Sequence, residues 1–125
     1  MTRRETLLAL ADRVEQGQGG DRHLNAEVMT VLGYVVRDTR VMDPRGATCF
    51  SIPDFLTSWD AARTVSNWVL LGASDIGADG LPLVELGNPA TVPTGLVHGI
   101  AYGGGPNPIV RAYLAAALRA QAMEA

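Results

Sequence analysis

The chain is expected to fold as an α+β domain, a small antiparallel sheet packed with helices. Three observations point there. Apolar residues recur at helical spacing near both ends, short β-rich runs separated by Gly/Pro turns fill the middle, and the strands come grouped rather than alternating one by one with helices. The expected order is α-α-β-(β)-α-β-β-β-α. With 125 residues and no linker-like or repeated tract, residues 1–125 read as a single domain.

Thr2 and Glu5 form a capping box, in which each side chain can satisfy a free amide of the other. Leu7, Leu8, Leu10, Ala11 and Val14 then give a helix stripe running to about Gln16, stopped by the GQGG stretch. A second helix opens with Asp21 as N-cap, carries Leu24, Val28, Val31 and Leu32, and stops at Gly33. Strands are expected near 34–37 and 40–42. The DPRG turn follows, with a short extended piece near 47–50. Ser58 caps a short helix that ends by residue 66. Strands near 68–71, 83–86 and 96–102 follow, divided by glycine-rich turns. In the last helix Asn107 is the N-cap and Pro108 the first helical residue, with Ile109, Val110, Tyr113, Leu114, Ala117 and Leu118 on its apolar face.

The bulk chemistry excludes several function classes. A net charge of −3 argues against general nucleic-acid binding, which relies on clustered cations. No apolar run reaches the roughly 18 residues needed to cross a bilayer, so no membrane partner is expected. The single cysteine, Cys49, cannot form an intramolecular disulfide and is read as a small core residue, which fits a reducing cytoplasm. Two histidines 75 positions apart and one cysteine give no metal-ligand spacing, so neither a metal nor a cofactor is expected. There is no G-x-S-x-G elbow or comparable constellation, and no residue is assigned a catalytic role. All ten cations are arginines, whose planar fork suits phosphate and carboxylate.

The stretch GIAYGGGPNPIVRAYL carries the main ligand candidate. Gly103, Gly104 and Gly105 precede a helix start, where bare backbone amides can approach an anion, and Arg111 lies one turn further in. The same glycines also serve as a plain connection, and neither the P-loop nor the dinucleotide fingerprint is present. His98 and Tyr102 fall on one face of the preceding strand by alternation and could contact a ligand beside the loop. A second candidate patch combines Trp59, Phe50 and Phe55 with Arg37, Arg40 and Arg45, a set able to stack a base and pair a phosphate. Trp59 and Trp68 are each more often core residues than ligand platforms, and the arginines also fit a solvated hairpin.

Three segments, ETLLALADRVEQGQGGDRHLNAEV, SWDAARTV and PIVRAYLAAALRA, together resemble small proteins of tailed phages and prophages grouped as the phage ABA-sandwich domain. The resemblance covers most of the chain through short, largely structural motifs. It departs at Asn25, where the family usually has aspartate, at Trp59, where it often has leucine, and at the glycine-heavy link 103–106. It implies an α/β/α-type sandwich and a phage accessory gene acting in the host cytoplasm, and it transfers no catalytic residue. By analogy with small phage proteins that bind nucleotides without cleaving them, the first expectation is a non-enzymatic protein that sequesters a phosphate-bearing host immune signal. A protein-interaction module acting on a host or virion protein is the alternative, and a nucleotide hydrolase using His98 a third reading. A homo-oligomer, a dimer or a multiple of one, is also expected, with Ala112, Ala115, Ala116, Ala117 and Ala120 of the last helix as its contact surface.

Overall fold

A computed structural model describes residues 2–17, 21–37, 40–42, 49–74, 80–91, 95–102 and 107–124. Four helices and six strands follow one another as α1 (Arg3–Gln16), α2 (Asp21–Val31), β1 (Val35–Arg37), β2 (Arg40–Met42), β3 (Cys49–Ser51), α3 (Trp59–Ala62), β4 (Val69–Ser74), β5 (Leu83–Gly87), β6 (Leu96–Ile100) and α4 (Pro108–Glu124). The fold is α+β, as the grouped strands indicate. Its strands form two separate three-stranded antiparallel sheets, β1-β2-β3 and β4-β5-β6.

Local chemistry sets the helix ends. Thr2 Oγ1 accepts from Glu5 N at 3.2 Å, and Gly17 closes α1 in the left-handed region at φ 70°. Gly33, at φ 99°, follows α2, and its amide donates to Thr30 O. Asp21 is already the first residue of α2, one position later than a cap. Ser58 Oγ accepts from Ala61 N at 3.3 Å and starts the four-residue α3. Pro108 opens α4, and Asn107 holds the cap position, its carbonyl accepting from Arg111 N at 3.2 Å. The sixth strand ends at Ile100 and not at Tyr102, because Tyr102 N leaves the sheet to donate to Glu15 O at 2.9 Å.

The core lies around α4, which contacts α1, α3, β5 and β6. Val84 and Leu86 of β5 and Val97 and Gly99 of β6 form the inner face of the second sheet. Gly99 is required there: a Cβ would stand 1.8 Å from Ala112 O and 2.7 Å from Ala116 N. The helix therefore lies against bare backbone. This corrects the expected oligomer surface. Ala112, Ala115, Ala116, Ala117 and Ala120 are each fully buried within their own chain. Their small size brings helix and sheet together and leaves nothing for a second subunit to touch.

The first sheet is a hairpin extended by β3, with Val36 opposite Val41 and Val41 opposite Phe50. Val41 is fully buried, and α2 contacts β1. Asn25, buried on α2, accepts from Phe55 N at 2.9 Å and donates to Asp54 Oδ1 at 3.3 Å. Those two bonds fix the chain as it leaves the sheet for α3. Among the described residues no helix is long and apolar enough to cross a membrane.

Candidate functional site

The strongest candidate is an aromatic cleft where α3, α4 and the start of β4 meet. The Ser58 cap puts Trp59 at the first position of α3, where its side chain stays partly exposed. Its ring meets that of Tyr113 edge to face, with centroids 5.2 Å apart and planes at 64°. Trp68 enters just before β4 and is buried, its indole N–H donating to Glu124 Oε1 at 2.7 Å. Trp59, Arg63, Trp68, Val69, Leu70 and Tyr113 line a cleft of about 520 Å³.

Tyr113 gives the cleft its chemistry. The residue is only 4% exposed, and it lines the cleft beside Trp59 and Arg63. Burial pushes its pKa above the usual phenol value, and the nearby Arg63 cation pulls weakly the other way. The phenol is therefore a neutral donor and acceptor beside a guanidinium and two indoles. That set suits a planar ring, taken by stacking, that carries an anionic group for Arg63 and a polar edge for the hydroxyl.

The residues singled out in the sequence are dispersed. Trp59 is in the aromatic cleft. Arg40 lines a separate polar cleft of about 330 Å³ with Arg22, Asn25, Ser51 and Ile52. Arg37 stands directly across the hairpin from Arg40, so cations gather at this end of the sheet. Arg111 is buried, its guanidinium 3.8 Å from Asp21 Oδ1. Burial explains why it is not a surface anion clamp: it joins α4 to the start of α2. Asn107 uses its side-chain amide to reach Thr57 O at 3.1 Å. Phe55 is a core residue.

His98 lies on the outer face of the second sheet, where its cross-strand neighbour Glu85 accepts at 2.6 Å. Tyr102 is exposed beyond the end of β6. Gly103, Gly104, Gly105 and Arg45 lie outside the described residues, as do the side chains of Cys49 and Phe50.

Arg63 and Tyr113 are the members of the cleft that sequence reasoning did not select. Tyr113 was legible as part of the apolar stripe of α4. The missed signal was its hydroxyl, a polar group on a helix face otherwise made of Ala, Val, Ile and Leu. Arg63 carried the signal of spacing, four residues after Trp59 at the end of the same helical segment.

Among the described residues no group of three or more His, Cys, Asp or Glu side chains is placed to hold a metal ion. Comparison of the chain with protein-family models, with curated proteins and with solved structures found no match.

Proposed function

We propose that the protein is a non-enzymatic binder of a small nucleotide, held in the Trp59/Tyr113/Arg63 cleft. The observation that carries this reading is the cleft lining itself, an exposed indole (Trp59), the guanidinium of Arg63 and the ring of Tyr113 around one opening. In this reading the base lies against Trp59, its polar edge bonds the Tyr113 hydroxyl, and Arg63 takes the phosphate. Binding of this kind needs no base, nucleophile or metal, so the ligand is released unchanged. The motif resemblance extends the proposal to a phage accessory protein that sequesters a host nucleotide signal in the host cytoplasm.

The test is titration calorimetry against a panel of linear and cyclic mono- and dinucleotides, followed by heat release and chromatography of the bound compound. Saturable binding, recovery of the intact nucleotide, and at least tenfold weaker binding (about 1.4 kcal/mol) in both Trp59→Ala and Arg63→Ala are expected. Binding untouched by both substitutions in folded protein would place the ligand elsewhere, and a chemically altered product would overturn the non-enzymatic reading.

A further inference from the structure

The aromatic cleft carries one cation. Of the described residues that line it, Arg63 alone is charged, and it is the cation whose field reaches the Tyr113 phenol. The two other arginines of α4 are directed elsewhere. Arg111 is buried with its guanidinium 3.8 Å from Asp21 Oδ1, and Arg119 is bonded to Glu15 and Asp12.

The other wall of the cleft leads to negative charge. Trp68 ties it to the last turn of α4, where the indole N–H donates to Glu124 Oε1 at 2.7 Å. A helix C-terminus carries a partial negative charge of its own, and the last turn of α4 contains no basic residue to offset it. A carboxylate there is unfavourable for the helix, so its bond to Trp68 is the contact it contributes. Asp60, the residue after Trp59 on α3, is an exposed carboxylate as well.

A nucleoside monophosphate presents one anionic group, which the fork of Arg63 can pair through two N–H donors. Each further phosphate brings negative charge with no second cation in the lining to meet it. It does so beside a carboxylate and a helix C-terminus, whose repulsion is little screened over a few ångströms. We infer that the cleft selects a ligand with a single phosphate, with Glu124 as the residue that disfavours longer phosphate chains. The inference rests on the nucleotide reading of the same cleft and narrows its ligand to the nucleoside monophosphate class.

Calorimetric titration with the common ribonucleosides and their 5′-mono-, di- and triphosphates, in magnesium-free buffer, tests it. Affinity should rise roughly tenfold or more from nucleoside to monophosphate, as a charge-assisted pair implies, and fall again through di- to triphosphate. Arg63→Ala should abolish the gain from the first phosphate. Glu124→Gln keeps an acceptor for the Trp68 indole and removes the charge. It should therefore raise triphosphate affinity relative to monophosphate by roughly threefold or more, a ratio that a purely structural role would not move. A wild-type protein that binds triphosphate as tightly as monophosphate would overturn the inference and leave the nucleotide reading in place. So would an unchanged ratio in folded Glu124→Gln. Failure of all these compounds to bind would also overturn the inference, and the nucleotide reading falls with it only if the dinucleotides fail too.

Discussion

Arg119 of α4 grips Glu15 of α1 through both carboxylate oxygens, Nη1 to Oε2 at 2.5 Å and Nη2 to Oε1 at 2.8 Å. The same guanidinium donates to His98 O and to Asp12 Oδ1, both at 2.8 Å. Glu15 Oε2 in turn accepts from Ile100 N at 2.7 Å. Two helices and strand β6 are thus joined at one ion pair. The hydrogen bond to Glu15 is the main reason that the Arg119 pKa rises above its ordinary value, against the opposing effect of burial. Parallel N–H···O bonds of this fork geometry are among the stronger polar contacts in proteins.

Removing one partner should therefore cost more than the pair itself contributes. Glu15→Ala leaves Arg119 without its main acceptor and Ile100 N without its own, and the expected loss is about 3–5 kcal/mol. Arg119→Lys keeps the charge but loses the fork, so a smaller loss is expected. Urea unfolding of both variants checks the order, and an Arg119→Lys protein as damaged as Glu15→Ala would contradict the bidentate account.

The two strand glycines should respond in opposite ways. Gly99→Ala drives a methyl into Ala112 O and forces α4 off the sheet, which should cost at least the roughly 1–3 kcal/mol typical of overpacking. Gly72→Ala has room, and should be neutral or stabilising by about 0.5–1 kcal/mol when measured on the isolated chain. Thermal and urea unfolding of the two variants decide this. Equal losses would mean that the close approach at Gly99 is not what holds helix and sheet together.

Tyr113 should give stability an alkaline limit. Burial raises its pKa above the ordinary 10.0, so the folded chain holds its proton at a pH where the unfolded chain has released it. The sign follows directly: this contribution is fully present below about pH 10 and is lost as the pH rises from the unfolded toward the folded value. Tyr113→Phe removes that dependence. Urea midpoints measured from neutral pH upward should fall more steeply for wild type than for Tyr113→Phe above about pH 10. Parallel curves would show that the phenol ionises without regard to folding.

The elements with local chemical causes were legible in the sequence. The Thr2 box, the Gly17 and Gly33 stops, the Ser58 cap and the Pro108 start each act within a few residues, and each marks an element end in the structure. What sequence could not supply was sidedness. The alanines of α4 look like an interface on a helical wheel, but only the tertiary fit of Ala112 and Ala116 against Gly99 shows that the chain uses them itself. Arg111 likewise reads as an anion contact one turn into a helix, while its surroundings are the interior and Asp21. The separation of six strands into two sheets is also invisible locally, because it depends on where the chain crosses after β3. The candidate site was half legible: Trp59 stood out as an aromatic at a helix start, whereas the place of Tyr113 beside Arg63 and Trp68 depends on the tertiary packing of α4.

Asn25 provides the last prediction. Here the amide matters: its Oδ1 accepts from Phe55 N while its Nδ2 donates to Asp54 Oδ1. Asp54 also accepts from the Thr57 hydroxyl. Asn25→Asp keeps the acceptor for Phe55 but turns the donor into a second carboxylate facing Asp54. Two like charges at hydrogen-bond distance in a part-buried place should destabilise the fold at neutral pH by about 1–3 kcal/mol. Acidification should restore much of the loss, since one proton shared between the carboxylates recreates a donor. Moving the amide should also restore it. In the double variant Asn25→Asp, Asp54→Asn, the residue at 54 donates to the residue at 25 and still accepts from Thr57. Urea midpoints of the two single variants and the double, at neutral and mildly acidic pH, make the comparison. A double variant no more stable than Asn25→Asp would show that the 25–54 contact is not the reason for asparagine here.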